Sequence, residues 1–198
     1  MNNRLEKQMQ FILEADRLKN VLRQSHVTTG NSRRENDAEH SWHLSLMVLL
    51  LSEHVEGAKV DLFRVLQMVI IHDIVEIDAG DTFAYDTIGH ETQAIREQAA
   101  AKRLFGLLPS DQADEFHELF NEFEAKKTPE ACFAAAVDRI QPLLLNFHTA
   151  GAAWKRHGIT HSQALKRNQH IKDASSELWN YVKNLLEEAV SKGYLKNS

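Results

Sequence analysis

The sequence of 198 residues holds a single cysteine, Cys132, so no disulfide can form within the chain. Its setting, ACFAAAVD, reads as an apolar helix in which the thiol is a small buried hydrophobe. Such sparing use of cysteine fits a reducing compartment, and the protein is read as cytoplasmic. Proline and glycine are also scarce, at three and eight residues. Alternating apolar and polar runs bounded by turn residues are essentially missing. The N-terminus MNNRLEKQMQ has no apolar signal core, and no apolar run approaches the ~20 residues that cross a bilayer. Neither sign of charge dominates. A formal net charge of −5 with 26% charged residues gives no electrostatic reason to expect DNA or RNA as a partner.

What is present is helical spacing throughout. With 43% apolar residues the chain can fill one sizeable core, and its length suits one domain over residues 1–198. The fold class is all-α, a single-domain bundle of about six to eight helices of ordinary length. A first helix covers Arg4 to Leu22, with Leu5, Met9, Ile12, Leu13 and Leu18 as one apolar stripe. The polar stretch RQSHVTTGNSRREND is a loop. A second helix, capped by Asn36 or Asp37, runs through AEHSWHLSLMVLLLSEHV to Gly57. Asp61 caps a third, LFRVLQMVIIHDIVEID, which is apolar on nearly every side, lies at the bundle centre and ends at Gly80. Further helices follow in HETQAIREQAAAKRLFGLL and, opened by Ser110 or Asp111, in QADEFHELFNEFEAKK. Another begins near Pro129, with Pro142 as a kink point, and a last runs from His161 to Ser191.

The stretch IHDIVEIDAGD, residues 71–81, sets ionisable groups directly after an apolar run. Burying them there is costly without compensation. Four candidate ligands lie on three helices: His40, the adjacent His72 and Asp73, and Asp138. Two imidazoles and two carboxylates make a nitrogen–oxygen site suited to one divalent first-row ion, with Mn, Co, Zn, Ni and Fe as candidates. Such a set leaves coordination positions open for water and substrate oxygens. Glu76, four residues after His72, shares its helix face, and Asp81 follows the helix-ending Gly80. A carboxylate beside an activated water is a candidate general base or acid, and both residues are taken as catalytic.

The motif set H…HD…D, with E-x-x-x-G-D after HD and a V-D-R helix some 65 residues later, resembles the HD-domain metal-dependent phosphohydrolases. RRENDAEHSWHLSLM, IHDIVEIDAGD and AAVDRI look more closely like the branch that includes bacterial and eukaryotic 5′-deoxynucleotidases. The likeness runs from about Leu18 to Leu145. It implies metal ligation by His40, His72, Asp73 and Asp138, catalysis by Glu76 and Asp81, and hydrolysis of a deoxynucleoside 5′-monophosphate. It implies a homodimer too, for which the apolar C-terminal stripe Leu178, Tyr181, Val182, Leu185 and Leu186 could supply the interface. Arg23, seventeen residues before His40, matches an arginine that contacts substrate phosphate in that branch. The family often carries a tryptophan just after it; here the chain reads RQSHVTTG, so either His26 substitutes or the pocket is differently shaped.

Among the remaining residues, Arg33 and Arg34 are candidates for phosphate binding, with Arg33 carried forward beside Arg23. His43 is a candidate partner for a ligand imidazole. Trp42 reads as core packing, Asp78 and Asp86 as solvated acids, and His90 and His117 as surface residues, which favours one metal over two. Other readings of the same motifs are hydrolysis of a nucleoside di- or triphosphate or of a signalling nucleotide, and a non-catalytic metal-binding regulator.

Overall fold

A computed structural model describes residues 3–29, 33–57 and 59–197. Helix α1 (Asn3–Ala15) passes into a 3-10 turn (Asp16–Asn20). The apolar stripe assigned to it is not a core stripe. On α1 only Phe11 is buried, whereas Leu5, Met9, Ile12 and Leu13 are exposed; Leu18, in the turn, does enter the core.

The polar stretch that follows is not wholly a loop. Strand β1 (Leu22–His26) pairs antiparallel with β2 (Arg34–Asn36). The Arg34 guanidinium donates to the carbonyls of Leu22 and Arg23, and Val27 N–H bonds Arg33 O at 3.0 Å. These contacts join segments eleven or so residues apart, a separation that a local sequence pattern does not reveal. Residues 30–32 of that stretch, Gly30 among them, lie outside the described residues.

Helix α2 (Asp37–Leu51) starts at a capping box. Asn36 Oδ1 accepts from Glu39 N–H at 2.9 Å, and the Glu39 carboxylate accepts from Asn36 N–H at 3.3 Å. Its inner face carries Asp37, His40, Leu44, Met47 and Val48. Its outer face shows Trp42, Leu46, Leu49 and Leu50. Trp42 is 67% exposed, so it is no part of the core packing assigned to it.

Asp61 caps helix α3 (Leu62–Ile71) by accepting from the N–H groups of Phe63 and Arg64. The apolar run beyond does not remain one α-helix. It tightens into a 3-10 turn over His72–Val75, then resumes as the short α4 (Glu76–Ala79), which Gly80 ends with a φ of +75°. Val65, Met68, Val69 and Ile71 are buried, but Phe63 and Ile70 are exposed, so the helix faces solvent on one side.

Asp86, read as a solvated acid, instead caps α5 (Thr87–Phe105) by accepting from Ile88 N–H and Gly89 N–H. Helix α6 (Ser110–Ala125) leads to α7 (Pro129–His148), which is capped by Thr128 and continues through Pro142. Short helices α8 (Ala152–His157) and α9 (His161–Asn168) precede α10 (Ser176–Ser191). The last helix is thus two, because a 3-10 turn over Gln169–Asp173 and the Ser175 cap intervene. Leu178, Val182, Leu185 and Leu186 of α10 lie in the chain's own core and are not free to form an interface; Tyr181 faces outward.

Helices α2, α3 and α7 pack against one another. Leu44, Met68, Phe133 and Val137 are buried among them in one continuous core. Among the described residues no helix is long and apolar enough to cross a membrane. The architecture is all-α apart from the small hairpin.

Candidate functional site

The three packed helices bring the candidate ligands together. His40 projects from α2, His72 and Asp73 come from the 3-10 turn after α3, and Asp138 lies on α7. All four are buried. Ligand atoms of His40, His72 and Asp73 lie within 4.8 Å of one another. Asp138 Oδ1 is 3.1 Å from His40 Nε2 and 3.8 Å from His72 Nε2. His72 and Asp73 are consecutive in a 3-10 turn, where neighbours point about 120° apart, so a shared point lies between their two directions.

Both imidazoles are held by their other nitrogen. His72 Nδ1 lies 3.1 Å from Val69 O, which can only accept, so Nδ1 carries the proton. His40 Nδ1 lies 3.0 Å from Gln141 Oε1. That amide is oriented by its own donation, from Nε2 to Glu35 Oε1 at 2.6 Å, with His43 Nδ1 also 3.2 Å away. A neutral imidazole has one N–H, so with the proton on Nδ1 each Nε2 presents a lone pair, the form that metal ligation requires, whereas in the metal-free chain a second proton can fill that place on His72. Those lone pairs face carboxylates: His72 Nε2 is 3.0 Å from Asp73 Oδ1 yet makes no aligned hydrogen bond. Lone pairs pressed against anionic oxygens repel unless a cation stands among them. The four residues fit a divalent metal ion on this ground, with imidazole and carboxylate donors of the kind such ions take.

The electrostatics agree. Burial lowers His72, but the Asp73 and Asp138 carboxylates outweigh it and raise the group to about 10. The negative field that favours a proton at His72 also favours a metal cation. Burial, with the Arg23 guanidinium, holds His40 below the usual histidine range. For Asp73 burial acts upward, but His72 and Arg23 prevail and hold it ionised.

Glu76 is buried at the start of α4, and burial together with the Asp73 and Asp37 carboxylates holds it well above the usual range. Asp81 is raised by burial and by Asp73, against the pull of Arg23. Both line a cleft with His72, Asp73, Asp138 and Arg23. Arg23 Nη1 is shared between Asp73 Oδ2 at 2.9 Å and Asp37 Oδ1 at 3.0 Å, and its Nε is 4.0 Å from Glu35 Oε2. It is thus engaged with the acids behind the ligands while bordering the cleft. Arg33 lies elsewhere: it pairs with Glu39 at the surface and does not line the cleft.

Several supporting residues have no separate signal in the sequence. Glu35 and Asp37 are both buried, and burial raises each to about 7. Gln141 is one helical turn after Asp138, a spacing that could have drawn attention to it. His43 sits half-buried against Gln141 rather than against a ligand imidazole, so the direct partner of His40 is Gln141 and not His43. His90 is not simply a surface residue, because it borders the cleft and bonds Gln93 and the Ala84 carbonyl. His117 is half-buried with its ring against the edge of Phe105. His26 is buried with Nε2 3.2 Å from the Arg156 guanidinium. Asp78 pairs with Arg103.

Comparison with known proteins agrees with this geometry. A crystal structure of a predicted metal-dependent phosphohydrolase from Magnetospirillum magnetotacticum MS-1 matches with a TM-score of 0.92 and 51% identity, covering 98% of this chain and 96% of that one. An HD-domain phosphohydrolase from Listeria innocua shares the fold, with a TM-score of 0.64 at 16% identity over 94% of this chain and 91% of that one. The human 5′-deoxynucleotidase HDDC2 is 28% identical over 136 residues. That alignment spans 69% of this chain and 65% of the human protein, so just under two thirds of the relative's length is matched. The fission yeast 5′-deoxynucleotidase hdd1 is 27% identical over 135 residues, 66% of each chain. The pattern of the HD domain itself extends over residues 15–179, from the end of α1 into α10, and the chain therefore belongs to the HD-domain family of phosphohydrolases.

Proposed function

We propose that this protein is a metal-dependent phosphomonoesterase that hydrolyses nucleoside 5′-monophosphates, deoxy forms in particular, to nucleoside and inorganic phosphate. The observation that carries the reading is the convergence of His40 and His72 Nε2 on Asp73 and Asp138, with His72, Asp73 and Asp138 lining a cleft that Glu76 and Asp81 also line. The relatives named as 5′-deoxynucleotidases support the substrate class. The neighbour described as a predicted metal-dependent phosphohydrolase supports the cofactor.

His40, His72, Asp73 and Asp138 would hold one divalent ion, of manganese, cobalt, zinc, nickel or iron. Bound there, such an ion supplies Lewis acidity, which lowers the pKa of a water toward ~7 and draws charge from phosphoryl oxygens. Glu76 is the base. Its carboxylate has a raised proton affinity, and positive charge among the ligands brings that back toward neutrality, where a general base works best. It takes a proton from the attacking water as the oxygen closes on phosphorus. Asp81, on the same cleft, gives a proton to the 5′-oxygen as the P–O bond breaks. Arg23 keeps Asp73 and Asp37 oriented through its shared Nη1.

The test is phosphate release from a panel of nucleoside mono-, di- and triphosphates and cyclic nucleotides, using metal-stripped protein with each ion restored in turn. Release from 5′-monophosphates that depends on metal is the expected result. Cleavage confined to di-, tri- or cyclic phosphates would favour a different nucleotide hydrolase, and no turnover with bound metal would favour a regulatory protein.

The protein also pairs with a second copy in this reading. The exposed row Trp42, Leu46, Leu49 and Leu50 on α2 supports it, because residues 41–52 contain no charged side chain to hydrate that face.

A further inference from the structure

The cleft holds two arginines that the functional reading has not used. Arg139 on α7 and Arg167 on α9 both line it. Among the described residues neither makes a hydrogen bond, and Arg167 has no carboxylate within ion-pair distance. Arg139 Nε is 3.6 Å from Asp138 Oδ2, too far for a hydrogen bond. The Nε atoms of both are buried without a partner. The two guanidinium groups are close enough that Arg139, after burial, is the main influence lowering Arg167, to about 10. Four other arginines make hydrogen-bonded ion pairs with acids: Arg23 with Asp37 and Asp73, Arg33 with Glu39, Arg64 with Glu122, Arg103 with Asp78 and Glu14. Two half-buried like charges lining one cleft, with Asp138 the one carboxylate among the described residues in ion-pair reach of Arg139 and none in reach of Arg167, favour the entry of an anion.

We propose that Arg139 and Arg167 form the phosphate-holding subsite of the cleft, gripping the non-bridging oxygens of the phosphomonoester dianion that is hydrolysed. The inference rests on the phosphomonoesterase reading and adds which residues receive the reacting group. Charge counting favours it. Asp73 and Asp138 offset the charge of a divalent ion, and Glu76 and Asp81 stand alongside. A dianion entering there needs further positive charge. Besides Arg23, which is already shared between two carboxylates, the cleft's arginines and lysines are these two alone among the described residues. Arg139 flanks Asp138, so an oxygen held by it lies beside the metal ligands rather than at the remote end of the substrate. A guanidinium suits this task because its planar fork can offer two parallel N–H donors to phosphate oxygens.

The probe is inorganic phosphate, titrated calorimetrically into the metal-loaded full chain, with Arg139→Met, Arg167→Met and Arg167→Lys beside the parent. Metal content and thermal melting of each variant are measured in parallel. Both methionine variants should keep their metal and bind phosphate at least tenfold more weakly, with Arg167→Lys recovering part of the loss. Binding of the unphosphorylated nucleoside should not change. Parent-like phosphate affinity in both methionine variants with full metal content overturns the proposal, as does a metal-loaded parent that binds no phosphate. A variant defect confined to the second phosphate of a nucleoside diphosphate, with inorganic phosphate and monophosphate unaffected, overturns it too. A parent that binds phosphate through these arginines yet releases none from any nucleotide leaves the subsite standing and removes the nucleotidase reading instead.

Discussion

Gln141→Leu offers a way to test the logic of the metal cage without measuring turnover. Gln141 is fully buried, and leucine nearly matches its volume, so the cavity cost is small. Three contacts vanish: the acceptor for His40 Nδ1, the donor to Glu35 Oε1 and the donor near His43 Nδ1. His43 is half-buried and can turn to water. The His40 Nδ1 and the Glu35 carboxylate cannot, and each buried group left without its partner costs ~1–3 kcal/mol, or roughly 2–6 kcal/mol together. At ~2–4 °C per kcal/mol for a chain of this size, the metal-free protein should melt roughly 5–20 °C lower.

A second effect is specific to the cage. Without its Nδ1 acceptor, His40 gains by moving its proton to Nε2, which lies 3.1 Å from Asp138 Oδ1. That proton then occupies the lone pair on which a metal depends. Metal affinity should fall about 10–100-fold, the usual scale for losing the partner of a ligand imidazole. Competition against a chelator measures the affinity, differential scanning calorimetry of the metal-free protein measures the stability, and nitrogen NMR of the imidazoles reads the tautomer. Unchanged metal affinity in Gln141→Leu, with His40 still protonated on Nδ1, would refute the claim that this amide sets the ligand form.

Three further outcomes are expected. His72→Ala and Asp73→Ala should lose bound metal and turnover together, whereas Glu76→Ala should keep metal and lose ~10²–10⁴ of the rate, the scale of a removed general base; elemental analysis beside phosphate release separates the cases. His170 is lowered to about 4 by burial and then by Arg139 and Lys126, so in the folded state it stays neutral where the unfolded chain takes up a proton. Its contribution is present above pH ~6.5 and lost as pH falls from there through about 4, by no more than ~1–2 kcal/mol after solvent screening; His170→Gln should therefore lose less stability than the parent between pH 7 and 4.5 in melting experiments. Leu49→Glu should give a monomer by sedimentation if two copies meet on the exposed α2 face, and a parent already monomeric at assay concentration would count against that pairing.

How much of this was legible in the sequence depended on whether a residue's role is local. Caps at Asn36 and Asp61 follow from residue types next to apolar runs, and each holds its helix start. The apolar stripe of α1 illustrates the opposite case: periodicity shows that Leu5, Met9, Ile12 and Leu13 share a face, but not that this face looks outward. The hairpin escaped because β1 and β2 are too short and too polar to alternate visibly. Their pairing is held by Arg34 reaching back to the Leu22 and Arg23 carbonyls.

The candidate site divides in the same way, for a reason rooted in charge. His72, Asp73 and Asp138 stand out because each interrupts an apolar helix, where an ionisable side chain demands compensation, and His40 stands out only as a member of the ordered H…HD…D set. Glu35, Asp37 and Arg167 interrupt nothing apolar; in sequence they sit among polar neighbours that a solvated surface would also carry, whereas Gln141 does interrupt an apolar run but is uncharged. Only packing shows that Asp37 is sealed beneath Arg23 and that Glu35 reaches Gln141 across more than a hundred residues. Three of the ligands could be read from what they disturb. Their supports could not, since a buried acid answered by a distant partner leaves no disturbance in the chain around it. The same reasoning picks out Arg139 and Arg167. Their Nε atoms are buried without a hydrogen-bond partner, and of the two only Arg139 has a carboxylate among the described residues, that of Asp138, within ion-pair reach.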